Sequence, residues 1–159
     1  MILRMLVCCT LLFALMACGV TSPERTPSPT AQPAAGEPLV ALRQEGGLKG
    51  AQTTLIVWRD GRARLTQSGL NRQAQKIEWN ISDQQLAVLE QLIESAEFMA
   101  LKENYIPQNT CCDRISYTLT VATPQAEKTV RTMDGVDWPP VLEQTINLLF
   151  QIQNSAPGQ

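Results

Sequence analysis

Two adjacent cysteines, Cys111 and Cys112 in the stretch NTCCDR, are the residues of this 159-residue chain best equipped for chemistry. Neighbouring thiols can exchange electrons, supply half of a metal site, close a strained disulfide, or do no chemistry at all. The chain has no histidine. Ser-His and Cys-His nucleophile arrangements are therefore excluded, and the commonest general base near neutral pH is missing. Asp134 and Asp137, in MDGVDW, form a candidate carboxylate pair. They sit beside a glycine and a helix start, which reads as turn and helix-terminus chemistry, because a calcium loop needs about 6 to 8 oxygens. EGGLKG lacks the spacing and the Ser/Thr of a phosphate-binding loop. It reads as a glycine turn between strands or, through Gly46 and Gly47, as an exposed binding loop. Of the three tryptophans, Trp58 and Trp79 fall in strand-like runs and read as sheet core. Trp138 precedes two prolines at an element boundary, where an amphipathic ring can lie half exposed and serve as a contact point.

Which of these chemistries applies depends on the compartment. The chain opens MILRMLVCCTLLFALMACGVTS, with one charge at Arg4 and an uncharged run from Met5 to Ala17. That run is shorter than the roughly 18 apolar residues a membrane-spanning helix needs, and it has the layout of a secretory signal over residues 1–17. It ends in Leu15-Met16-Ala17-Cys18, which resembles the lipobox of bacterial lipoproteins. The resemblance implies that the Cys18 thiol receives a diacylglycerol, that the chain is cut before it, and that the new amino terminus is acylated by a palmitate-like chain. Each buried methylene contributes about 0.8 kcal/mol, so two or three acyl chains anchor the protein firmly. The alternative is an ordinary secretory signal with a cysteine at its cleavage site. Residues 18–38 follow as a tether. Pro23, Pro27, Pro29, Pro33 and Pro38 remove backbone donors among small polar residues that have almost nothing to bury. At about 3.1 Å per residue in polyproline geometry this segment reaches on the order of 60 Å. The implied location is the bacterial cell membrane, with the domain facing the periplasm or exterior.

If Cys8 and Cys9 leave with the signal and Cys18 carries lipid, Cys111 and Cys112 are the remaining thiols. An intramolecular disulfide between them is vicinal and strained, because neighbouring Cα atoms lie about 3.8 Å apart while disulfides prefer about 4.4–6.8 Å. An oxidising exterior favours it nonetheless. A vicinal disulfide, two thiols, an intermolecular bond and a metal site all stay open, the last short of the four ligands that a structural zinc requires. No cofactor is implied. Without Arg4 the chain has 12 basic and 15 acidic residues, a formal charge of −3, and no basic face that would mark nucleic acid as a partner.

The elements that position these residues occupy 39–156, a length suited to a single domain. LVALRQ alternates weakly, EGGLKG turns, and TTLIVWRDGRARLTQ gives two runs joined by Asp60-Gly61, a dipeptide that signals a hairpin. KIEWNI sets Ile77, Trp79 and Ile81 on one face. Ser82 and Gln85 form a capping box, and Leu86, Leu89, Ile93 and Ala96 then recur at helical spacing. Phe98, Met99 and Leu101 anchor the helix exit. ISYTLTVAT alternates Ile115, Tyr117, Leu119 and Val121 against Ser116, Thr118 and Thr120, and KTVRTM returns as its partner. Pro140 opens a last helix with Leu142, Ile146, Leu149 and Phe150 on one face. The expected fold class is α+β, an antiparallel sheet of five to six strands with two helices packed on one face.

The EGG turn, the DG hairpin, the helix exit at Phe98-Met99-Ala100-Leu101, Tyr105, Cys-Cys-Asp and the Tyr-x-Leu-x-Val strand together resemble a group of small bacterial lipoproteins. More loosely, the opening Arg-x-x-Gly-Gly and the closing strand, strand, helix order resemble the emfourin family, inhibitors of thermolysin-like metalloproteases. The resemblance covers Leu39 to Ile152 and implies a non-catalytic domain that binds another protein, in the looser case an extracellular metalloprotease. The alternative is a structural or accessory envelope lipoprotein, and a third reading, a thiol redox enzyme, requires a reactive cysteine in the pair.

Overall fold

Alternation of apolar and polar residues with period two turns one side of every strand toward a common layer. In the computed structural model, which describes residues 36–47, 50–69, 72–110, 113–124 and 126–158, the strands are β1 (Pro38–Gly46), β2 (Ala51–Trp58), β3 (Arg62–Gly69), β4 (Arg72–Asn80), β5 (Ile115–Ala122) and β6 (Glu127–Met133). The helices are α1 (Asp83–Ile93), the single turn α2 (Ala96–Met99) and α3 (Pro140–Asn154). The signal, Cys18, nearly all of the tether, and Cys111 with Cys112 lie outside the described residues.

The six strands form one antiparallel sheet in the order β4-β3-β2-β1-β5-β6. Its registers line up Ile77, Leu65, Leu55, Leu42, Leu119 and Val130 as one lateral row across all six strands. Five of the six are buried, and Ile77 on the edge strand is half-buried. Against this row pack Leu89 and Ile93 of α1, Phe98 of α2, and Leu142, Ile146, Leu149 and Ile152 of α3. The fold is the expected α+β layer pair, with the helices on one face. A bulge between Pro38 and Val40 buries the consecutive residues Leu39 and Val40 together, which accounts for the weak alternation of β1.

Local signals set the element ends. Ser82 and Gln85 cap α1 reciprocally. The Ser95 hydroxyl accepts from the Phe98 N–H and starts α2, which carries Phe98 fully into the core. Pro139 occupies the cap position of α3 and Pro140 is its first residue. The β2–β3 link is longer than the expected Asp60-Gly61 pair: three residues join the strands, with Gly61 at φ 81° and its N–H bonded to the Trp58 carbonyl. That is the geometry of a three-residue hairpin loop, in which the glycine occupies the left-handed position.

The sheet-core reading of Trp58 is corrected by the same alternation. Val57 faces the helices, so Trp58 faces the opposite side. There the guanidinium groups of Arg62 and Arg64 lie 5.1 and 4.8 Å from its ring centroid. The ring is 8% exposed, buried by stacked arginines rather than by the apolar core. Trp79 is half-buried on the edge strand and packs against the core. Arg59, in the hairpin loop, reaches Glu90 of α1 and Glu94 at the C-cap of α1 at 3.6 and 3.5 Å and donates to the Ala122 carbonyl at 2.9 Å. This one side chain ties loop, helix and β5 together.

Leu42 stands at the crossing of the lateral row with the most central strands. Leu42→Ala is expected to cost about 2–5 kcal/mol, measured as a lowered urea midpoint with an unchanged slope.

Candidate functional site

β1 ends, β5 begins and β6 ends at the same end of the sheet, because Gly46 pairs with Ile115 and Ser116 pairs with Met133. This convergence brings Gly46, Gly47, Asp134 and Trp138, far apart in the chain, into one corner.

Gly46 is fixed there by space as well as by backbone angle. Its φ is 124°, and a Cβ added to it would collide with the Arg114 carbonyl oxygen, so the close approach of β1 to the start of β5 requires glycine. Gly47, at φ 76°, has open space around it, and its carbonyl accepts from the Gly50 N–H at 3.0 Å.

Asp134 organises the other side of the corner. One carboxylate oxygen accepts the Tyr117 hydroxyl at 2.6 Å and the other accepts the Ile115 N–H at 3.3 Å. Its own N–H donates to the Ile115 carbonyl at 3.0 Å, and its carbonyl accepts from Arg114 at 3.4 Å. The Arg114 guanidinium lies over Gly135, 3.8 Å from where a Cβ would stand. Burial, and then the adjacent Asp134 carboxylate, push the Tyr117 phenol well above its ordinary value, so the hydroxyl stays protonated and donates. Both partners are committed to each other, and the pair holds the β5 start against the β6 exit.

Trp138 completes the corner. Its ring meets Tyr117 edge-on at 5.6 Å between centroids, and its indole N–H donates to the Met133 carbonyl at 3.3 Å. The ring is half-buried and packs on the core, so much of the surface expected for contact is turned inward. Asp137 is exposed. Among the described residues no group of three or more His, Cys, Asp or Glu side chains is placed to hold a metal ion.

Sequence reasoning missed a second feature. The Glu103–Tyr105 segment runs along the outer edge of β6, where Arg131 exchanges two backbone hydrogen bonds of 2.8 Å with Glu103 and Tyr105. Lys128 donates to the Met99 carbonyl at 2.9 Å. Between them lies an open polar cleft of about 600 Å³, lined by Met99, Glu103, Lys128, Thr129 and Arg131 among others. No pattern in KENY marks it.

Residues 50–153 match the family described as Domain of unknown function (DUF6438), and the chain belongs to that family. The match includes Tyr117, Asp134 and Trp138 and begins after Gly46 and Gly47. No curated protein matches the chain.

Two measurements check the corner. Gly47→Ala is expected to cost about 1 kcal/mol and Gly46→Ala about 3 kcal/mol in urea melts, the difference arising from the Arg114 carbonyl. The Tyr117 contribution is fully present below the unfolded phenol's value of about 10 and is lost as pH rises from there toward the raised folded value, since the unfolded chain ionises first. Tyr117→Phe should flatten that alkaline loss and cost about 1–3 kcal/mol at pH 7.

Proposed function

We propose that this chain is a lipid-anchored bacterial cell-envelope protein whose domain is a non-catalytic binding module, with another protein as partner and a thermolysin-like extracellular metalloprotease as the candidate suggested by the emfourin resemblance. The observation that carries the reading is the direction of β1. The tether joins the sheet at Pro38 and the glycine corner lies at Gly46, so eight strand steps of about 3.3 Å set the corner roughly 26 Å from the point of attachment. A domain held by Cys18 on a tether that reaches on the order of 60 Å then has the room to offer Gly47 and the exposed edge of Trp138 to a partner clear of the lipid surface. The mutual commitment of Tyr117 and Asp134 supports a positioning role for these groups rather than proton transfer.

A second reading, a structural or accessory envelope protein without a protease target, is favoured by the inward packing of Trp138. Inhibition assays on a panel of thermolysin-like proteases, with the chain from residue 18 carrying Cys18→Ser, separate the two. Nanomolar to micromolar inhibition that weakens in Gly47→Ala supports the inhibitor-like module. Absence of inhibition across the panel, with one specific envelope protein recovered by cross-linking, supports the accessory role. For the anchor, Cys18→Ser in the full chain is expected to abolish palmitate incorporation and to shift the protein out of the membrane fraction.

A further inference from the structure

The two edges of the sheet are treated differently. The β6 edge is bridged at Arg131 by Glu103–Tyr105, whereas β4 has no strand or bridge on its outer side among the described residues. An open edge of this length presents a row of backbone donors and acceptors, and proteins usually blunt such an edge or pair it. β4 contains no proline, and its side chains from Gln73 to Lys76, with Glu78 and Asn80, are exposed.

The occupant is indicated by what β4 carries. Two copies of β4 can pair antiparallel about a twofold axis, and only registers that place residues of the same face opposite each other keep the sheet continuous. Centring the axis on Lys76 sets lysine against lysine, and centring it on Glu78 sets glutamate against glutamate. Within one copy Glu78 already pairs with Lys76 at 3.1 Å and with Arg64 at 2.7 Å; centring the axis on Ile77 sets Lys76 against Glu78 of the second copy twice, so no like charges meet and the network continues across the open face. In the same register Ile77 meets Ile77 on the helix-covered face and extends the lateral row from Leu65 into the second molecule. Charge and apolar pattern thus select one register.

We infer that the β4 edge is a self-association site, where a second copy of this chain pairs through Gln75–Trp79 centred on Ile77 to make a continuous twelve-stranded sheet. The interface is isologous, each copy supplying the same strand.

Engineered disulfides test the register in the full chain in membranes, in a Cys111→Ser/Cys112→Ser background. With Ile77→Cys the two Cα atoms would lie about 4.5–5.5 Å apart, within disulfide range, so a mild oxidant should give a covalent dimer. With Gln75→Cys the like cysteines would be roughly 13 Å apart and should remain monomeric. Lys76→Glu, at an exposed position that leaves the fold intact, should weaken dimerisation about tenfold by sedimentation of the Cys18→Ser chain, and Lys76→Glu with Glu78→Lys should restore it. A monomer for Ile77→Cys, equal cross-linking at both positions, or pairing of the edge with a different protein would overturn the inference.

Discussion

The lateral row from Ile77 to Val130 is the constraint on which the rest of the domain depends. Each of its side chains lies on the same face only if every strand keeps its register, because a shift of one residue would turn a whole strand's apolar set toward water. Once the row is fixed, α1, α2 and α3 have one place to bury their own apolar faces. The opposite face is left to Thr54, Thr66, Thr118, Thr120 and Thr129, with Arg43 and Arg64 between them, and its one tryptophan among the described residues, Trp58, lies under Arg62 and Arg64. Burial therefore decides not only the core but also which surfaces stay free for contacts.

The corner at Gly46 follows from the same register. Pairing of Gly46 with Ile115 forces the β1 end against the Arg114 carbonyl, and only glycine fits there. Asp134 then joins the other two strand ends by accepting from Tyr117 and from the Ile115 backbone. A charge-assisted hydrogen bond of this kind is stronger than a neutral one, and a half-buried carboxylate left without it would be costly. The corner is consequently held in place from both sides for a physical reason.

Much of this was legible in the chain and some was not. The strand of Ile115 to Val121, the capping box at Ser82 and the proline start of α3 are local patterns, and each carries its own physical cause. Trp58 was legible too, since Leu55 and Val57 already assign it to the other face, but aromatic bulk suggests a core residue. The Tyr117–Asp134 bond was not legible: 17 residues separate the two, and only the β5–β6 register brings them together. Arg59 was hidden for the same reason, as its carboxylate partners lie in and at the end of a helix that follows two further strands. The cysteine pair that first suggests chemistry lies outside the described residues, while Asp113 and Arg114, which follow it, lead directly into the corner.

The contrast between the sheet edges links these observations. A one-sided layer of six strands has two edges, and covering both would demand a second segment like Glu103–Tyr105. The connection from α2 to β5 supplies such a segment at Arg131 of β6. No comparable connection passes β4 among the described residues, since the chain turns from β4 directly into α1 across the hairpin end of the sheet. The open edge is thus a consequence of topology, and Lys76 and Glu78, paired with each other and with Arg64 along it, are the residues on which its behaviour toward another strand depends: a strand that sets like charges against them is repelled, and one with the opposite order of charges extends their network.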